Sequence, residues 1–314
     1  ITDTIVAPSV NYTDIFVNEW GVVVFTNEGT TIAGAPDENG NLYYGKEVFG
    51  DPEVDAPVIW IHGAFFEDAT LTVKAVQGSL TALFPDPDVT LNNDNDRPIS
   101  ASWNISAPQP PSPLLGIERP ELIIPQDTPF GWAMGFWGDV PSHDLFSAQN
   151  GDYMANFLYY EAAIPYWGPT DDIFDAKILA GFYAPDGLLI TAGYDPQVER
   201  IQLIPLPDGA GIPASMQGHL SDEEVCDIIC DWAGGNLKSE EITALWQTWE
   251  PFFKTMRVDD EYALDRSGSN EQWILFPLPW DVVEQISTIH LEVHDSVEID
   301  ITYNRLFLGL VRLY

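Results

Sequence analysis

Five oxygen-bearing side chains, Asp86, Asp88, Asn92, Asp94 and Asp96, fall within one breaker-rich stretch of the 314-residue chain. Hard cations take carboxylate and amide oxygens, so calcium is the ion this stretch suits. The spacing departs from an EF-hand, with no glycine at the turn and no closing glutamate. His290-Leu291-Glu292-Val293-His294 invites zinc. On a strand, however, the two histidines lie about 13 Å apart at about 3.3 Å per residue. Zinc holds its ligands at about 2.0 Å, so one ion cannot take both. The segment reads as a solvated strand face. Asp171, Asp172 and Asp175 form a second, weaker acidic group.

Pro57-Val58-Ile59-Trp60-Ile61-His62-Gly63 imitates the oxyanion side of an α/β-hydrolase, but no serine has glycine at both −2 and +2. Gly40 to Glu47 nearly spells a phosphate loop, with a carboxylate where a hydroxyl must hold magnesium. Gly209-Ala210-Gly211 lacks a following βαβ unit. His62, His143 and His219 show no partner in sequence. Among 49 carboxylates no catalytic pair stands out, so no catalytic or cofactor-binding residue is assigned. Cys226 and Cys230 are four apart in a helical pattern. That spacing puts them on one face, yet a regular helix is poorly matched to disulfide geometry. Two buried thiols and a local or intermolecular disulfide are the open readings.

The elements that must position these groups are mostly strands. Residues 15–26 read as a strand kinked at Gly21. Val58–Ile61 is a buried strand, Leu71 to Ala75 alternates with period two, and Leu80–Phe84 follows Gly78. Residues 85–98 read as a loop and 107–129 as a proline-rich excursion. Short apolar runs recur at 157–167, 176–183, 188–192 and 199–206. Residues 219–257 form a helical hairpin. Ser221-x-x-Glu224 is a capping box, Gly234-Gly235 closes the first helix, Ser239 opens the second and Pro251 marks its end. Strands return at 272–278, 286–293, 297–303 and 306–313. The expected fold is mainly β, antiparallel and sandwich-like, with a helical hairpin insertion. Residues 1–14 form an N-terminal arm. Residues 15–314 make one large domain, or two β subdomains at about 15–215 and 258–314.

Composition sets the environment. With 49 acidic and 12 basic residues the net charge is −37, while 45% of residues are hydrophobic. A disordered acidic tail lacks such apolar content. The field repels phosphate backbones and anionic headgroups, which excludes nucleic acid. No apolar run approaches the ~20 residues of a membrane span. Self-repulsion at this charge calls for high salt, low pH or divalent cations. A chain starting at Ile1 reads as a mature secreted form, and Asn11 and Asn104 head glycosylation sequons.

Glu19-Trp20-Gly21, Ala56 to Ile61, Leu71-Thr72-Val73, Gly78-x-Leu80, Phe84-Pro85, Phe157 to Tyr160, Trp246-x-x-Trp249 with Phe252-Phe253, and Leu306 to Arg312 occur in this order. In this series the chain resembles a family of secreted bacterial hypothetical proteins, frequent in planctomycetes, over roughly residues 15–313. The resemblance implies a secreted protein of one architecture and implies no activity. It departs at Asn18, where histidine is usual, and at Glu161, where arginine is usual.

The expected function is therefore a secreted, cell-surface structural or assembly protein, such as a sheath, S-layer or filament subunit, self-associating and using calcium. The alternative is an extracellular glycan-binding or glycan-hydrolysing protein, with Trp132, Trp137, Tyr166 and Trp167 lining a groove.

Overall fold

A strand buried on both faces needs apolar residues at every position, and the run from Ile15 to Val23 nearly supplies them. Ile15, Val17 and Val23 face one layer; Trp20 and Val22 face the other. The computed structural model describes residues 13–26, 29–33, 57–76, 78–93, 96–109, 131–164, 187–192, 202–205, 220–255, 271–295 and 299–313. In it this run is β1 (Asp14–Thr26), which passes through Gly21 unbroken. β15 (Asp300–Leu313) lies parallel to it, from Asp14 opposite Asp300 to Phe25 opposite Val311. The sequence expectation of two separate C-terminal strands is corrected to this one long strand.

The other edge of β1 is shared. β3 (Pro57–Gly63) pairs with its first half and β2 (Gly29–Ala33) with its second. β10 (Leu158–Ile164), β5 (Ser79–Phe84), β11 (Leu188–Ala192), β12 (Gln202–Pro205) and β13 (Glu271–Pro277) complete a nine-stranded sheet. A six-stranded sheet holds β14 (Ser287–Val293), β4 (Phe66–Ala75), β7 (Pro98–Ala107), β8 (Leu145–Ser147), β9 (Tyr153–Ala155) and β6 (Val89–Asn92). The C-terminal strands enter both sheets: β13 and β15 join the first and β14 the second. The fold is mainly β and sandwich-like, with antiparallel pairing dominant and β1–β15 the parallel exception.

Two cores lie back to back. The inter-sheet core packs Ile15, Ile59, Tyr160 and Phe307 against Leu71, Val73, Trp103 and Leu291. On the reverse face of the larger sheet, Trp20, Trp60, Tyr159 and Leu308 meet the helices. These are α1 (Gly131–Gly138), α2 (Asp222–Trp232) and α3 (Ser239–Thr255). The Ser221–Glu224 capping box opens α2 as expected. Gly234 and Gly235, at φ +62° and +70°, lead out of it. α3 continues past Pro251 to Thr255, so the end expected at the proline is corrected. α4 (Trp280–Ile286) was not foreseen; it buries Val282, Val283 and Ile286. Part of the expected 85–98 loop is the strand β6. Among the described residues no helix is long and apolar enough to cross a membrane.

Gly309 shows how tightly the central strands are covered. A Cβ there would lie 2.6 Å from the Phe276 ring, which is fully buried and cannot retreat. Gly309→Ala should therefore destabilise the fold by about 1–3 kcal/mol, as overpacking does. Urea unfolding checks it: the midpoint should fall with the slope unchanged, and adding Phe276→Leu should recover part of the loss.

Candidate functional site

Adjacent residues of β1 point to opposite faces, so Asn18 and Glu19 each enter a different core. Both are buried, and each anchors a polar network.

On the helix-facing side the hub is Glu241, fully buried in the first turn of α3. Its Oε1 accepts from His62 Nε2 at 2.7 Å, and Asn18 Nδ2 donates to both oxygens at 3.1 and 3.0 Å. The backbone N–H of Lys238, just ahead of α3, donates to Oε2 at 2.6 Å, which also caps the helix. Asn304, opposite Asn18 on β15, donates Nδ2 to Asn18 Oδ1 at 2.9 Å. The Lys238 ammonium donates to His62 Nδ1 at 2.8 Å and to the Pro141 carbonyl at 3.1 Å. An ammonium has no acceptor capacity, so Nδ1 is the accepting nitrogen and Nε2 carries the ring proton. An amine, a base and an orienting carboxylate thus stand in line, the order that activates a nucleophile elsewhere. Here the inner part of the line is enclosed, while Lys238 at its outer end is exposed. Glu241 is surrounded by donors, His62 is 7% exposed and both its nitrogens are engaged. The chain ties β1, β3 and β15 to the start of α3.

On the inter-sheet side, Glu19 stands opposite Arg305. Arg305 Nε donates to Glu19 Oε2, while Nη1 reaches Glu284 at 2.6 Å and the Ser287 carbonyl at 2.8 Å. Nη2 donates to Ser287 Oγ at 2.8 Å. Tyr160 donates to the second Glu19 oxygen at 2.8 Å and also contacts Ser287 Oγ. The guanidinium lies 5.3 Å from the Phe307 ring centre. Burial pushes the Glu19 carboxyl upward, and Arg305 pulls it back. Burial and the Glu19 charge push the Tyr160 phenol well above its ordinary range, so it stays a donor. Burial opposes the Arg305 charge, but Glu19 and Tyr160 outweigh it and hold the guanidinium protonated. Because Tyr160 and Ser287 touch the same groups, the network joins β1, β10, β15 and β14.

Two further groups adjoin the first network. The His143 ring packs against Phe65 and places Nε2 3.2 Å from the Gly63 carbonyl. On β10, Tyr159 donates its hydroxyl to Glu161. Asn18 and Glu161, the two departures from the resembled family, thus lie on the same side of the sheet as the helices.

The groups singled out in sequence are distributed differently. Asp86 and Asp88 precede β6, whereas Asn92 ends it and Asp96 follows; Asp94 lies outside the described residues. The Asp88 carboxylate accepts from the Asn104 backbone N–H at 2.6 Å, and Asn92 donates to Asp96 at 2.8 Å. The strand therefore holds the two pairs at opposite ends. Asn104 sits on β7, half-buried, accepting from Thr70 at 3.1 Å. Asn11, His219, Asp171, Asp172, Asp175, Tyr166, Trp167 and both glycine-rich segments lie outside the described residues. His290 lies on β14 as expected, whereas His294 falls one residue past its end and bonds Thr70 at 3.0 Å.

Cys226 and Cys230 are free thiols here, half-buried on α2, a regular helix whose geometry does not suit a bridge between them. They line a cleft of about 480 Å³ with Asp222, Ile242, Trp246 and Glu250. Burial, with Asp222 and Asp227 nearby, pushes the Cys226 thiol up to about 11, which keeps it protonated and unreactive. Trp137, expected to line a groove, is fully buried and stacks on Tyr159 with ring centres 4.9 Å apart. Sequence reasoning missed Glu241, Lys238, Asn304 and Arg305. Glu241 was visible only as an acid in the first turn of a helix.

Compared with protein-family models, curated proteins and solved structures, the chain matches none of them.

If the inter-sheet network is a lock, removing one partner strands a buried charge. Arg305→Met should cost about 3–5 kcal/mol, and Glu19→Met in the same chain should restore most of it, both read by urea unfolding. His143 gives a pH test. Burial first, and the adjoining His62 and Lys238 in addition, push its imidazole from 6.5 down to about 4. Between those values the unfolded chain binds the extra proton. The stability owed to neutral His143 is complete above pH 6.5 and is lost as pH falls through about 4. His143→Gln should flatten that limb of the stability curve, by about 2–3 kcal/mol.

Proposed function

We propose that the chain is a strongly acidic subunit of an extracellular surface assembly, such as a sheath, S-layer or filament. The observation that supports this best is how the buried chemistry is used. Glu241 is enclosed by His62, Asn18 and the Lys238 N–H, and Glu19 by Arg305 and Tyr160. Both buried carboxylates are bonded to groups from other elements and so hold strands and helices together. The surface is left to act through its charge.

At −37, copies of the chain repel one another unless cations intervene. Molar salt would screen the repulsion, and calcium held at one end of the Asp86, Asp88, Asn92, Asp94 and Asp96 segment together with carboxylates of a second copy would bridge it. The secreted setting rests on the charge, the sequons at Asn11 and Asn104 and the family resemblance. The glycan alternative needs an exposed aromatic groove, and Trp137, one of the four aromatics it invoked, is a core residue.

Size-exclusion chromatography with light scattering tests the proposal. The chain should run as a monomer in low salt with EDTA. It should form higher-mass species in molar NaCl or millimolar calcium, and the calcium species should revert on chelation. A monomer under every condition that binds polysaccharide would overturn the reading in favour of the glycan alternative.

A further inference from the structure

β6 is the one place where aliphatic side chains and open backbone coincide among the described residues. All four of its residues are exposed, Val89 by 52% and Leu91 by 61%. One edge of β6 pairs with β7; no described strand covers the other. The register sets its faces. Val89 stands opposite Ser102 and Leu91 opposite Ser100, on the sheet face where Thr72 bonds Ser102. Thr90 stands opposite Ala101, on the face turned to the inter-sheet core. Two exposed aliphatics therefore project from a face that is otherwise polar, with Thr70, Thr72, Lys74 and His290 on it.

We propose that β6 is a self-complementary edge that pairs antiparallel with β6 of a second copy, in the register centred on Thr90. In that register Val89 faces Leu91 of the second copy, Thr90 faces Thr90, and Asp88 faces Asn92. Paired residues point to the same side of a sheet, so all four aliphatic side chains gather on one face. Carboxylate meets amide at both ends, so no two acids stand directly opposed. Moving the register by one pairing step turns Val89 against Asn92 and splits the aliphatic cluster between faces.

The contact is small. Edges of four residues bury far less than the ~1,200–2,000 Å² of a stable interface, so one contact is weak and gains strength only by repetition. Asp86 and Asp96 flank it and repel their counterparts at low ionic strength, as charges beside open edges commonly do. Salt relaxes that repulsion within a Debye length of about 3 Å at 1 M. The edge is thus closed in dilute buffer and open in brine.

This inference rests on the assembly reading, and cross-linking separates the two. In the salt that produces higher-mass species, Thr90→Cys places two thiols opposite each other, within reach of a disulfide. Asn92→Cys places them about 13 Å apart, which is too far. Under mild oxidation Thr90→Cys should cross-link at least about tenfold faster, with the linked peptide identified by mass spectrometry to exclude Cys226 and Cys230. Leu91→Lys, at an exposed position, should reduce the assembled fraction while leaving the unfolding midpoint unchanged. Assembly with equal cross-linking rates and no effect of Leu91→Lys would overturn the β6 contact and leave the assembly reading standing. Absence of assembly in every salt would overturn both.

Discussion

The pairing of β1 with β15 is the constraint on which the rest of the structure depends. These strands come from opposite ends of the described chain and lie parallel across twelve paired positions. Parallel neighbours cannot be joined by a tight turn, so the rest of the described chain lies between them as their crossover. At its middle, consecutive pairs of polar residues, Asn18–Asn304 and Glu19–Arg305, face opposite ways. Shifting the strands by one residue would bury Arg305 among the helices and Asn304 between the sheets. Each buried charge would lose its partner, at a cost of several kcal/mol. The apolar residues around them are too alike to discriminate: Val22, Val23, Leu306 and Leu308 would pack in either register. The polar pairs therefore set the register, and the apolar face supplies most of the burial.

The same arithmetic explains how these residues are satisfied once assembled. A carboxylate taken from water needs its lone pairs satisfied, and Glu241 has donors from three elements. The aromatic motifs follow the same logic. Trp20, Trp60, Trp137 and Tyr159 pack as a cluster, with the Trp60 indole donating to the Trp137 carbonyl and the Trp137 indole to Thr248. Such residues fix how the helices sit on the sheet.

Most strands and the helical hairpin were legible in the sequence because their signals are local. Leu71, Val73 and Ala75 alternate within a few residues, and Ser221 sits three residues from Glu224. The polar networks were not legible, because their members are far apart along the chain. Asn18 meets Glu241 across 223 positions, and Arg305 meets Glu19 across 286. No spacing rule reaches that far. His62 looked partnerless for the same reason. The strand within the acidic segment was not legible either: Val89 to Asn92 extend and set Asp88 and Asn92 at opposite ends.

The fold spends its few basic residues sparingly; Arg305 is buried inside it and Lys238 lies across His62. With 49 acidic residues against 12 basic ones the chain is strongly anionic, and the proposed function rests on that charge. Negative-stain electron microscopy of the intact chain, exchanged from dilute buffer into molar NaCl with calcium, tests it most directly. The account predicts dispersed single particles before exchange and regular sheets or filaments with a constant subunit repeat afterwards. Single particles, or amorphous aggregates without a repeat, in both conditions would contradict it.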